Sequence, residues 1–286
     1  MELFISYLVN GIVNGLIYAV VALGFTLVLG VMQVINFSHG ILFAFGAYFF
    51  FTLKSYLGFW LSLAISPLLV GCMGLLIERL AVRRTYGKNP LFSLLLTFGI
   101  AMALEEVIRL VWGKPGHSVT APDFVKGVID LGFMYYSKYR LFMAGLSVSM
   151  ILLVWLFLER TPYGAIIKAG AHDCEMVMTL GKNLPRLRTF VFGMGAALAA
   201  IAGVIAAPLH SIRPVMGTYI LMPAFVIVVL GGIGSFWGSV LGGLIFGLAT
   251  SLYPGRYTDI IPYLLMTVIL LWRPRGLMGE KSILEV

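Results

Sequence analysis

Residues 6–30 read SYLVNGIVNGLIYAVVALGFTLVLG, twenty-five consecutive positions without a charged side chain. An α-helix rises 1.5 Å per residue, so about 20 apolar residues cross the hydrocarbon of a bilayer. In lipid every backbone N–H and C=O must be paired within the structure, and a helix does this without a neighbouring strand. The run is too long for the apolar core of a signal peptide and has no basic flank before it, so it is expected to be a retained span. Residues 141–158 and 190–209 are likewise free of charge.

The rest of the chain agrees with this run. Of 286 residues, 60% are apolar and 11% charged, against about 25% charged in ordinary soluble domains. The mean hydropathy is +0.99. A water-soluble globule so poor in charge could not cover its surface, whereas apolar surface facing lipid costs little. No sustained alternation of the kind a strand barrel needs is present. The expected fold class is all-α: a polytopic transmembrane helix bundle with about 8–9 spans, some of them discontinuous. Residues 1–286 are expected to form a single transmembrane domain. The predicted spans are 5–30, 34–53, 58–78, 91–112, 140–158, 189–208, 219–235, 238–253 and 259–272. The segment with Gly231, Gly232, Gly234 and Gly238 reads either as two short helices or as one span plus a re-entrant piece.

Basic residues in short loops set the orientation. Arg79, Arg83, Arg84 and Lys88 lie in one loop, Arg160, Lys168, Lys182, Arg186 and Arg188 in another, and Arg273, Arg275 and Lys281 in the tail. Alternating spans put all three on one side, which is then cytoplasmic. Nine segments place the N-terminus outside and the C-terminus inside; eight move the N-terminus inside. The same asymmetry accounts for the net charge of +8, so no nucleic-acid partner is inferred. Residues 113–139 are expected outside, beginning with the turn Trp112-Gly113-Lys114-Pro115-Gly116. Cys72 falls in a span and Cys174 in a cytoplasmic loop, so they cannot pair.

Catalytic patterns are absent from the sequence. Gly181-Lys182 and Gly87-Lys88 are each followed by asparagine, so neither ends a phosphate-binding loop. There is no zinc-protease motif and no nucleophile elbow. His39, His117, His172 and His210 are scattered. The chain is expected not to be an enzyme and to carry no metal or cofactor of its own.

The informative residues are polar groups inside apolar segments, which are costly and often functional. Asn10 and Asn14 share one face of the first span. Gln33, Asn36, Ser38 and His39 crowd a break between the first two spans. This group reads either as pathway lining or hinge, or as caps on broken helix ends. Glu105, Glu106 and Arg109 have the spacing of ion pairs on one helix. The scarcity of other intramembrane acids argues against an ion-coupled carrier. Small residues from Gly193 to Gly203 permit close helix contact.

The loop 159–188 has internal structure. Thr161-Pro162 reads as an N-cap and first helical residue, a helix over 163–180 follows, and Gly181 reads as its C-terminal cap. Met176, Val177 and Leu180 form an apolar patch flanked by Lys168, Asp173, Glu175 and Lys182. Such a patch suits a soluble partner or the membrane surface.

Four stretches carry a family likeness. They are Asn14-Gly15-Leu16-Ile17-Tyr18-Ala19 continuing to Ala22-Leu23-Gly24-Phe25-Thr26; Ile35-Asn36-Phe37-Ser38-His39-Gly40 with Gly46-Ala47-Tyr48; Lys168-Ala169 to Leu180-Gly181 followed by Gly195-Ala196-Ala197-Leu198-Ala199-Ala200; and Arg273-Pro274-Arg275-Gly276-Leu277-Met278-Gly279. In this order and spacing the chain resembles the branched-chain amino-acid ABC transporter permeases of the LivH type, from about residue 8 to residue 279. It departs from their pattern at Ser38, where alanine is usual, at Lys168, where arginine is usual, and near Val177, where alanine is usual. The resemblance implies a permease subunit of an ATP-driven importer in the bacterial cytoplasmic membrane, with a branched-chain or other apolar amino acid as substrate. Urea, amides and other small organic solutes are the alternative cargo, and a stand-alone carrier or channel the alternative class. The implied partners are a second related permease, two ATPase subunits that bind ATP and Mg, and a periplasmic substrate-binding protein. The loop helix, with Lys168, Ala169, Glu175, Met176, Val177, Leu180 and Gly181, is then expected to couple to an ATPase. Asn14, Gln33, Asn36, Ser38 and His39 are the candidate pathway or hinge residues.

With Cys72 and Cys174 replaced, single cysteines at Lys88 and Lys182 are expected to react with impermeant thiol reagents only from the cytoplasmic side, and one at Gly116 only from outside. Labelling of positions 88 and 116 from the same side would refute this orientation.

Overall fold

The computed structural model describes residues 2–279, except 131, 133, 173, 253, 254, 256, 257 and 259. The described chain is helical throughout its apolar segments. The helices are α1 (Glu2–Met32), α2 (Ser38–Leu80), α3 (Pro90–Trp112), α4 (Lys138–Arg160), α5 (Pro162–His172), α6 (Cys174–Thr179), α7 (Leu184–Ala206), α8 (Met216–Gly231), α9 (Phe236–Leu252) and α10 (Ile261–Trp272). A two-stranded hairpin, β1 (Val128–Asp130) with β2 (Tyr135–Ser137), supplies the element expected between the fourth and fifth spans. Among the described residues five helices can cross a membrane by length and composition, α1, α2, α3, α4 and α7, while α8, α9 and α10 are shorter apolar helices.

Helix α2 holds two spans. At Gly58 the backbone turns to φ 73°, ψ −179°, a conformation that glycine adopts without steric cost. The rings of Phe50 and Phe59 then meet at 5.5 Å, whereas nine residues of continuous helix would separate them by about 13 Å. The two limbs therefore fold back on each other, and both pack on α7. An added Cβ at Gly46 in the first limb would lie 2.4 Å from the Ala200 carbonyl oxygen, and one at Gly74 in the second would meet the Ala196 Cβ at 2.6 Å. Helix α9 packs equally close on α1, through Gly243 against Ala19 and Gly247 against Gly15. In lipid such packing replaces the hydrophobic drive available in water.

The glycine-rich segment resolves into two short helices. Helices α8 and α9 fold together around a turn in which Gly232 and Gly234 take positive φ, and Gly231 and Gly238 touch backbone to backbone. With the two limbs of α2 this gives nine apolar segments. The loop helix predicted over 163–180 is matched by helix on both sides of residue 173, which lies outside the described residues.

The basic stretches gather at one end. Arg83 reaches Thr189, Arg188 lies 4.7 Å over the Tyr86 ring, and the N–H groups of Leu277 and Met278 donate to the carbonyls of Leu230 and Gly231. At the opposite end Lys54 donates to the Thr120 carbonyl, His117 and Ile212 exchange backbone hydrogen bonds, and Tyr136 and Arg140 both donate to Asn10 Oδ1.

Gly46→Val in the isolated chain is expected to lower thermal stability in detergent by about 1–3 kcal/mol or to prevent folding. Gly99→Val, where an added Cβ meets nothing within 4 Å, is expected to be nearly neutral. Equal behaviour in a fluorescence-detected thermal melt would show that the α2–α7 contact is not tight.

Candidate functional site

The polar break between α1 and α2 is a built structure. Helix α1 ends where Gln33 turns to φ 52°, the one positive φ outside glycine among the described residues, and its N–H still donates to the Leu29 carbonyl at 2.9 Å. The chain then runs extended back into the bundle. Asn36 Oδ1 accepts from the Ser38 N–H at 3.1 Å and the Ser38 hydroxyl at 2.5 Å, which satisfies the first N–H of α2. Thr97 of α3 holds the same strip: its hydroxyl accepts from the Phe37 N–H at 3.1 Å and lies 3.3 Å from the Ile35 carbonyl. His39 is fully buried, with Nε2 3.1 Å from the Val21 carbonyl and the ring edge-on to Phe25. The geometry thus answers the helix-end need for partners. Asn14, half-buried on α1, makes no side-chain hydrogen bond among the described residues. Asn10, on the same face, joins α1 to β2 and α4.

At the basic end the structure brings two separately predicted residues together. Gln33 and Lys168 both line a cavity of about 500 Å³ between α1, α4, α5 and the α8–α9 turn, with Trp155 and Trp237 also in its wall. Lys168 Nζ lies 2.8 Å from Glu159 Oε2, both side chains about half exposed. Asn14, Asn36, Ser38 and His39 do not line this cavity.

Both predicted caps of the loop exist. The Thr161 hydroxyl accepts from the Gly164 N–H at 3.1 Å. Gly181 has φ +73°, its N–H donates to the Met178 carbonyl, and the Lys182 N–H donates to the Val177 carbonyl, the paired bonds of a Schellman ending. The apolar patch needs correction. Val177 is 3% exposed and faces inward, while Met178 at 48% and Leu180 at 69% face out. Helix α6 rests on α7, so the burial of Val177 is set by that packing and not by the local apolar pattern. Asp173 lies outside the described residues, as do the side chains of Glu175 and Met176. Ala169 is exposed. Ile167 is buried and Gly170 packs near Leu187 of α7, so α5 is seated on the bundle.

A buried carboxylate here has no counterpart among the sequence-predicted residues. Glu78, near the end of α2, is fully buried. Arg83 contacts it through Nε at 3.4 Å and a terminal nitrogen at 3.2 Å. The Tyr86 hydroxyl donates to Oε1 at 2.9 Å, and Thr189 of α7 donates to Oε2 at 2.6 Å. Burial, then the charge on Glu78, pushes the Tyr86 phenol above its usual pKa, so it stays a donor. The group pins the start of α7 to the end of α2. Sequence offered only a weak signal, since Glu78 sits at a span end, Arg83 is not at helical spacing, and Thr189 is 111 positions away.

Toward the opposite end, Arg109 pairs with Glu105 and, at 3.1 Å, with Glu106, as predicted. Glu105 also accepts from the Thr218 hydroxyl of α8 at 3.2 Å. Beside α8, a second cavity of about 400 Å³ is lined by Arg213, His210, Tyr18 and Tyr219 together with Phe43 and Ile220.

The model of the family described as branched-chain amino acid transport system / permease component matches residues 7–270. The chain is similar to the high-affinity branched-chain amino acid transport system permease protein BraD of Pseudomonas aeruginosa, 31% identical over 99% of this chain and 98% of that protein. It is 30% identical to the corresponding LivH protein of Escherichia coli K12 over 99% and 98% of the two chains. It is also 28% identical to the LivM permease protein of the same organism, over 92% of this chain and 68% of that protein. No solved structure matches the chain.

Glu78→Leu is expected to destabilise the chain by about 2–3 kcal/mol. That is less than the 3–5 kcal/mol of a fully buried pair, because Arg83 can turn to water. Glu78→Gln, which keeps the acceptor for Tyr86, should lose roughly half as much. Denaturant unfolding in detergent checks both, and a neutral Glu78→Leu would remove the network's structural role.

Proposed function

The chain belongs to the branched-chain amino acid transport system permease family, and on that premise we propose that it forms half of the translocation pathway of an ATP-driven importer for branched-chain or other apolar amino acids. The observation that carries the reading is the end-to-end match to relatives named as permease proteins of such systems. ATP and Mg belong on two partner ATPases, in keeping with a sequence that has no phosphate loop. A second permease completes the pathway; the likeness of this chain to LivM supports a partner built on the same helices. A periplasmic binding protein delivers the solute at the end opposite the basic one, and the assembly sits in the bacterial cytoplasmic membrane.

Helices α5 and α6 are the proposed coupling element. They join α4 to α7 through short, capped connections. Thr161 caps α5, and Asn183 Oδ1 accepts from the Arg186 N–H at 3.1 Å to cap α7. A load on the exposed Met178 and Leu180 therefore reaches α4 and α7 with little slack. ATP binding by the partners shifts the permease pair between two states only through contacts that differ between those states.

Burial of one large apolar side chain is worth roughly 1.5–3 kcal/mol. The double variant Met178→Asp, Leu180→Asp is therefore expected to weaken ATPase docking by about one to four orders of magnitude, while the permease still inserts. Lys168→Ala should cost at most about 1 kcal/mol. Co-purification of the ATPases and leucine uptake into proteoliposomes check this. A double variant that keeps both would move the coupling element elsewhere, and a wild-type assembly that fails to carry leucine would overturn the substrate assignment.

A further inference from the structure

The 400 Å³ cavity beside the start of α8 has walls of two kinds. Phe43, Ala206, Met216 and Ile220 form an apolar wall, and Arg213, with His210, forms a basic edge. Among the described residues no carboxylate lines it. Among the described residues the Arg213 guanidinium makes no ion pair and no side-chain hydrogen bond. Arg109, by contrast, is held by two glutamates. Arg213 is exposed at the cavity edge, and a guanidinium that no acid holds is available to bind a carboxylate.

The residue is also held in place. His117 and Ile212 exchange backbone hydrogen bonds at 2.9 and 2.8 Å, which ties the Arg213 segment to the loop after α3. Gly116 permits this approach, since an added Cβ there would lie 2.2 Å from the Ser211 hydroxyl. His210 adds a hydrogen-bonding ring with little charge, because desolvation and then the positive Arg140 lower its pKa. The cavity lies at the end opposite the basic stretches and opens past Tyr219, which is 77% exposed.

We propose that this cavity is the chain's half-site for the transported solute, with Arg213 anchoring a carboxylate and the apolar wall receiving an aliphatic side chain. A guanidinium binds a carboxylate through two parallel hydrogen bonds, which fixes orientation as well as affinity. With no acid in the wall, the solute's ammonium group faces away from this chain, toward the second permease. The inference rests on the importer reading and assigns the residues that reading leaves open.

The test is the assembled transporter in proteoliposomes, supplied with leucine-loaded binding protein, with leucine uptake and ATP hydrolysis measured together. Arg213→Gln is expected to lower the leucine moved per ATP hydrolysed by about tenfold or more. Arg213→Lys, which keeps charge but not the fork, should fall between the two. An unchanged ratio in Arg213→Gln overturns the proposal. So does a loss of ATPase stimulation in step with uptake, since Arg213 would then serve docking of the binding protein. Failure of the wild-type assembly to carry leucine is a separate result, which overturns the substrate assignment on which this inference rests.

Discussion

Every backbone polar group placed in hydrocarbon must find a partner inside the protein, and the breaks in this bundle sit where that demand is met by named side chains. The strip after α1 is tolerated because Asn36 accepts from the first N–H of α2 and Thr97 reaches across from α3. The α8–α9 turn is tolerated because the tail after α10 donates to the last carbonyls of α8. The Gly58 turn needs little help, since it lies at the end of two limbs where a bilayer gives way to water. Irregular backbone in a membrane protein marks a place where sequence has been spent on satisfaction.

Helix α7 is the member on which the others are assembled. Its small face receives both limbs of α2, and Gly195 touches Gly24 of α1. A helix that meets neighbours backbone to backbone cannot slide without losing many contacts together, because close-packed interiors have few intermediate arrangements. It moves as a body or not at all, which is the property a permease needs if it is to hold two distinct states.

The legible parts of this chain were those decided locally. The charge-free run at 6–30, the three basic stretches, the Thr161 and Gly181 caps and the Glu105–Arg109 pairing each depend on residues a few positions apart, and each has its structural counterpart. The illegible parts depend on distance. Glu78 looked like the end of a span because Thr189, its partner, comes from another helix. Arg213 carried no motif, since its meaning lies in a cavity assembled from α1, α2, α7 and α8. Val177 was placed in the exposed patch because its burial comes from the packing of α6 against α7, which local spacing does not show.

These features lie along one continuous element. Helix α7 begins beside α6 and the Glu78 group and ends at Ala206, in the wall of the Arg213 cavity. Its 23 residues span roughly 34 Å at 1.5 Å per residue. A displacement of the α5–α6 pair by a docked ATPase would act on the start of α7 through the Asn183 cap and the Glu78–Thr189 bond. A stiff helix transmits such a displacement along its length. The far end would carry α1 and α2 with it, since α7 packs on both backbone to backbone, and α8 is the cavity element against which that group would move. The cavity wall is shared between α7, which follows the proposed coupling element, and α8, so its shape changes wherever the two move relative to each other. That difference is what a change in solute affinity between two states requires.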